Sequence, residues 1–116
     1  MQRITRRQDF VAAAKAVSWS NPAFLLQARL RSDDGVPRVG FTCTKKLGNA
    51  VIRNRIKRRL REAARLGLAS VVQKSFDYVV IGRSAAETSD FEILKSDLIS
   101  AANRLHAKAL PKTEAK

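Results

Sequence analysis

Histidine and cysteine occur once each, as His106 and Cys43, and that scarcity removes several chemistries at the outset. One cysteine excludes an internal disulfide and fits a reducing cytoplasm. Neither residue falls in a metal-ligand spacing, so no metal is expected on the chain. A Ser-His-Asp or Cys-His nucleophile cannot be assembled with confidence around one histidine in the last helix turns, where a helix-dipole or solvent role is expected. Glycine is sparse, at five residues, and no P-loop occurs; Gly48 stands alone. No segment is apolar enough to span a membrane. The polar start, Met1 to Phe10, has no apolar signal core, so no secretory segment is expected. Repeats and low-complexity segments are also absent. These absences describe a binder, not a catalyst.

Acidic residues are the other shortage. Ten Asp and Glu face 23 Lys and Arg across 116 residues, a formal charge of +13. The excess is lopsided: residues 1–65 carry a balance of +12, and residues 66–116 a balance of +1. Such a field points to a polyanionic partner and is silent on fold. The length suits one domain with a real core.

The charge concentrates between Lys45 and Arg65, where nine of 21 residues are Lys or Arg and only Glu62 is acidic. Ile52, Ile56, Leu60 and Ala63 recur at helical spacing and form a narrow apolar stripe. Arg53, Lys57, Arg61 and Arg65 run beside it at i+4 intervals, Arg55 and Arg59 border its other flank, and Arg58 adds to the outer face. Like charges so close repel, so the stripe must be packed on a core or a polyanion must neutralise the charge. Gly48-Asn49 supplies a break and an N-cap. Gly67 is expected to end the helix in the left-handed conformation. The thin apolar side holds no Trp or Phe, which argues against a membrane surface and for nucleic acid.

Elsewhere the pattern predicts mixed elements. Thr5-x-x-Gln8 has capping-box form and opens a helix to about Ala16, with Phe10, Ala13, Ala14 and Val17 on its apolar face. Phe10 reads equally as a core anchor or a cleft contact. Ser18–Ser20 reads as a short strand, with Trp19 as packing. Residues 23–31 alternate, Phe24, Leu26, Ala28 and Leu30 against Gln27, Arg29 and Arg31. Asp33-Asp34-Gly35 is a turn, and residues 38–45 alternate again, with Val39, Phe41 and Cys43 inward; a hairpin of these two strands is expected. Residues 76–82 are nearly continuous in apolar content and read as an interior strand. Ser89-x-x-Glu92 is a second capping box, opening a helix to about Lys108 with Phe91, Leu94, Leu98 and Leu105 on its stripe. Residues 1–108 are assigned to the domain and 109–116 to a flexible tail.

The run Lys45-Lys46-Leu47-Gly48-Asn49-Ala50-Val51-Ile52-Arg53-Asn54-Arg55-Ile56-Lys57-Arg58 closely resembles the signature of the bacterial ribonuclease P protein subunit, centred on Arg53-Asn54-Arg55. Asp9-Phe10, Phe24 and Arg38-Val39-Gly40-Phe41 fall ahead of it in matching order, so the resemblance covers about residues 3–108. It implies an α+β domain, α-β-β-β-α-β-α, with a four-stranded sheet and a left-handed βαβ crossover through the basic helix, a fold shared with the second domain of a small-subunit ribosomal protein. Right-handed crossovers are the strong rule, so physics alone would suggest the other hand.

The resemblance further implies an accessory subunit of an endoribonuclease. The partner is a catalytic RNA that uses Mg2+ to remove the 5′ leader from precursor tRNA, and the protein binds no cofactor of its own. Lys45, Lys46, Asn49, Arg53, Asn54, Arg55, Lys57, Arg58 and Arg61 would contact RNA. Phe10, Phe24 and Arg38 would lie at a leader cleft, together with the position of Gln27. Many members carry aromatics where this chain has Ala14 and Gln27, so fewer rings are available for stacking and phosphate contacts should matter more. A cytoplasmic protein, monomeric by itself, is expected. The competing reading is a structural RNA-binding protein of ribosomal type, without a leader cleft or a processing role.

Overall fold

Residues 76–82 are so rich in β-branched and aromatic side chains that both faces of the strand must be covered. The computed structural model, which describes residues 1–109, places them at the centre of a mixed sheet. The elements are β1 (Gln2–Arg3), α1 (Arg7–Ala14), β2 (Val17–Ser20), β3 (Phe24–Leu30), β4 (Arg38–Thr42), α2 (Ala50–Leu66), β5 (Phe76–Gly82) and α3 (Phe91–Ala109). Short 3-10 turns occupy Lys45–Leu47, Leu68–Ser70 and Ser84–Glu87. The sheet order is β1-β4-β5-β3-β2. Most of the proposed tail, from residue 110 on, lies outside the described residues.

From α1 onward the order is the expected α-β-β-β-α-β-α. The sheet has five strands instead of four, because Gln2–Arg3 adds in parallel to the outer edge of β4. The expected hairpin of β3 and β4 does not form. β5 lies between them, antiparallel to β3 and parallel to β4, and the local hairpin joins β2 to β3. Burial decides this: a strand apolar on both faces gains most between two neighbours, and β3 and β4 each offer one apolar side to either face. β4, α2 and β5 thus make the βαβ unit.

Register sorts side chains between the two faces. Phe24, Leu26 and Ala28 lie level with Gly82, Val80 and Tyr78, and Val39 and Phe41 with Tyr78 and Val80. These residues pack with Ile56, Leu60 and Ala63 of α2 and Leu94, Leu98 and Leu105 of α3 in the main core. On the other face Val79 and Ile81 pack with Ile4, Phe10 and Ala13, beneath α1. Gly40 is bare for a reason: a Cβ there would meet the Phe10 ring at 2.6 Å.

Several local expectations change. The Thr5 box does not form; α1 starts at Arg7 behind an extended Arg6 with no side-chain cap, because the Ile4 amide is still tied to Val39 O on the sheet edge. α1 also stops at Ala14, which is exposed, and Val17 belongs to β2. β4 ends at Thr42, short of Lys45. Asp90, not Ser89, caps α3, accepting from the Ile93 amide at 3.1 Å. Gly67 has φ −118°, so it is not left-handed; a Cβ would strike Lys95 Cγ at 2.5 Å, and glycine there admits α3.

His106 is likewise not at the surface: only 4% exposed, it packs edge-on to Phe76 and Tyr78. The Tyr78 hydroxyl accepts from the Gln73 amide at 2.9 Å and shares a 2.6 Å hydrogen bond with His106 Nε2. Burial lowers the His106 pKa and pushes Tyr78 up to about 12. The unfolded chain, with histidine near pH about 6.5, takes up its proton first as pH falls. Stability from this site is therefore complete above that pH and declines below it, toward the lower folded pKa. Thermal melts should show a lower Tm at pH 5.5 than at 7.5, and His106→Gln should shrink that difference.

Candidate nucleic-acid interface

α2 forms where its stripe and caps direct. Asn49 Oδ1 accepts from the Ile52 amide at 3.0 Å, so that oxygen is used as a cap. Ile56, Leu60, Ala63 and Ala64 are buried and Ile52 is half-buried, which pins one side of the helix to the sheet and α3. The arginines then divide by what they touch. Arg55 Nη1 donates to Glu87 Oε2 at 2.6 Å. Arg59 donates to Glu87 O at 3.1 Å and to Ser89 O. This flank fastens α2 to the turn before α3, so Arg55, expected among the RNA contacts, is ion-paired while about half exposed. Arg65 pairs with Glu62 one turn back.

The other cations are left over. Among the described residues, Lys45, Lys46, Arg53, Lys57, Arg58 and Arg61 have no carboxylate within 4.0 Å. Lys45, Lys46, Asn54, Arg58 and Arg61 are exposed; Arg53 and Lys57 are half-buried. Arg53 Nε is buried with no partner. Burial pushes the Cys43 thiol pKa up against the opposing pull of Lys57, Arg53 and Arg61, so all three charges converge near the end of β4. Arg61 Cζ lies 6.0 Å from the Phe41 ring centroid. Cys43 itself packs against the core as a small half-buried side chain, in accord with its alternation.

On the opposite face of the sheet a groove of about 520 Å³ runs between α1 and β4, lined by Thr5, Arg7, Phe10, Val11, Ala14 and Thr42. The two readings of Phe10 merge: the ring packs over Gly40 and also lines the groove. Gln27 projects to this face level with Val79 and is 7% exposed. Phe24 does not belong here. It is fully buried on the α2 and α3 face, 5.8 Å from the Trp19 ring, because it shares the strand face of Leu26 and Ala28.

Arg38 is also not free for a ligand. Its Nε and Nη2 donate to Asp77 Oδ1 and Oδ2, both at 2.7 Å. Asp77, 0% exposed, further accepts from Arg31 at 2.7 Å and from Arg29 at 3.4 Å. Asp9 of α1 joins through Arg29 at 3.3 Å and Arg38 at 3.4 Å. The Arg38 pKa is raised, chiefly by its hydrogen bonds to Asp77. This cluster ties α1 to β3, β4 and β5 and so sets the wall of the groove. Its sequence signal is an acid inside an apolar strand, matched by arginines on both flanking strands. Among the described residues no three of His, Cys, Asp and Glu gather to hold a metal ion, and no helix is long and apolar enough to cross a membrane.

The sequence profile described as Ribonuclease P matches residues 1–106. The chain belongs to the ribonuclease P protein family. The ribonuclease P protein component of Ruegeria pomeroyi is 48% identical over 108 residues, covering 90% of this chain and 86% of that one. That of Caulobacter vibrioides is 50% identical over 101 residues, covering 86% and 68%. Two solved ribonuclease P proteins share the fold. The Staphylococcus aureus protein superposes with a TM-score of 0.71 at 28% identity, covering 90% of this chain and 94% of its own. The Thermotoga maritima protein gives 0.69 at 31%, covering 90% and 96%. As a ribonuclease P protein component, the chain is the partner of the ribonuclease P RNA in a tRNA-processing endoribonuclease, and the catalysis lies in the RNA.

Proposed function

We propose that α2 and the turn before it dock on the catalytic RNA, and that the groove between α1 and the sheet holds the 5′ leader of precursor tRNA. The observation that carries this reading is the set of six cations without a carboxylate partner, Arg53, Lys57, Arg58 and Arg61 on a helix whose other side is anchored and Lys45 and Lys46 on the turn before it. Two RNA segments drawn together repel, and guanidinium groups between them lower that repulsion. Their planar fork can hold two phosphate oxygens at once. Asn49 and Asn54 flank the same surface, each with an amide available to donate. In the groove Phe10 offers a ring, and Arg7 and Thr5 offer polar contacts to a single strand. Phe24 and Arg38 support the site from behind.

In this reading the protein is a cytoplasmic monomer that supplies counter-charge and a track, while Mg2+ acts in the RNA. The protein should stimulate cleavage of precursor tRNA by a bacterial ribonuclease P RNA at low Mg2+. Arg53→Ala should weaken docking about tenfold, in the range of a lost charge-assisted contact. Equal cleavage with and without the protein would leave only the structural RNA-binding role.

A further inference from the structure

A second recess lies across the sheet from the α1 groove, at its outer edge. β1 pairs with β4 so that Arg3 stands level with Val39, which places the Arg3 side chain on the face that carries α2. There Val39, Phe41 and Ala64 floor a pocket of about 400 Å³, and Arg3, Arg61 and Arg65 rim it. That volume is within the roughly 300–1,000 Å³ of small-ligand clefts. Its chemistry is divided: an apolar floor with one aromatic ring, and a mouth of three guanidinium groups. One carboxylate, Glu62, reaches this rim, through an exposed pair with Arg65 that a phosphate can replace. Arg61 is at the outer limit of cation–π distance, about 6 Å, so the Phe41 ring is not sealed by it. Arg3 and Arg65 fall outside the signature run, and the leader path proposed above does not pass this face.

We infer that the pocket receives one unpaired nucleotide of the ribonuclease P RNA, its base against Phe41 and Val39 and its phosphate among Arg3, Arg61 and Arg65. An apolar slot under a cationic rim matches a base joined to a phosphate, and bases stack on aromatic rings whatever their identity. The catalytic RNA is the source because Arg61 continues the i+4 row of Arg53 and Lys57, which meets that RNA in the proposed function on which this inference rests.

The test measures affinity of the full chain for a bacterial ribonuclease P RNA over a salt series, then KM for precursor tRNA in the assembled holoenzyme. Arg3→Ala should weaken RNA binding and flatten the log-log salt slope by about 0.7 to 0.9, one phosphate contact. Phe41→Leu should weaken binding about tenfold, the scale of one base stack, and leave the slope unchanged. Arg104→Ala, an exposed arginine on α3, serves as the control and should change neither. Melting curves establish that each variant is folded, and Arg3, on the surface, tests the pocket even if Phe41→Leu is not. Arg3→Ala behaving like Arg104→Ala overturns the proposal, as does a folded Phe41→Leu with wild-type affinity, or a loss confined to the KM for precursor tRNA. If wild type itself fails to bind the RNA, the docking role of α2 falls instead.

Discussion

Ile56→Asp is expected to abolish the folded state. Ile56 is 0% exposed and packs so close to β5 that a Cβ on Gly82 would lie 2.8 Å from its Cγ2. The substitution loses about 1.5–3 kcal/mol of side-chain burial. It also places a carboxyl group among Leu60, Ala63 and the sheet, at a further cost of several kcal/mol. Domains of this kind are stable by about 5–15 kcal/mol, so one such change consumes most or all of the margin. Circular dichroism on heating should show no cooperative transition for Ile56→Asp, while Ile56→Val, costing about 0.5–1.5 kcal/mol, should melt cooperatively at a slightly lower temperature. A cooperative melt of Ile56→Asp near the wild-type Tm would mean that α2 is not held by its stripe.

Asp77→Ala is the second large effect. Removing the carboxylate takes away the buried centre of the cluster and leaves Arg31 and Arg38, whose side chains are 7% and 24% exposed, with only the peripheral carboxylates Asp33 and Asp9. Breaking a buried ion pair by deleting one partner costs about 3–5 kcal/mol, because the remaining charges stay desolvated. Urea unfolding should show the midpoint drop with little change in slope. Asp9→Asn, at the more open rim of the cluster, should cost less than Asp77→Ala, yet loosen α1 and so lower the contribution of the groove to precursor tRNA binding. An Asp77→Ala midpoint equal to wild type would assign the cluster no structural role.

How much of this was legible in the residues depends on range. α2 is almost fully written in its own segment: Asn49 caps it, Ile56 and Leu60 anchor it, and the charge stands opposite. β5 was legible as an interior strand because nothing polar interrupts it except Asp77. What was not legible is non-local. Asp33-Asp34-Gly35 between two alternating runs argues for a hairpin, and only the need to bury β5 on both sides separates β3 from β4. Alternation divides Phe24 from Gln27 but does not say which face α1 covers, so it could not test the cleft position that the resemblance implies for Phe24. The pairing that occupies Arg38 is invisible in the sequence because its partner is 39 residues away. A glycine after a helix signals a left-handed φ, whereas the constraint at Gly67 is the approach of α3.

The central claim is that the unneutralised cations of α2 and its preceding turn are the docking surface for RNA. The most direct measurement is the affinity of the protein for a bacterial ribonuclease P RNA as a function of salt at fixed Mg2+. Six phosphate contacts predict log affinity falling against log salt with a slope of about 4 to 5 in magnitude, reduced by about one unit when Arg53 or Arg58 is replaced by alanine. An affinity that hardly moves between low and moderate salt would contradict the account.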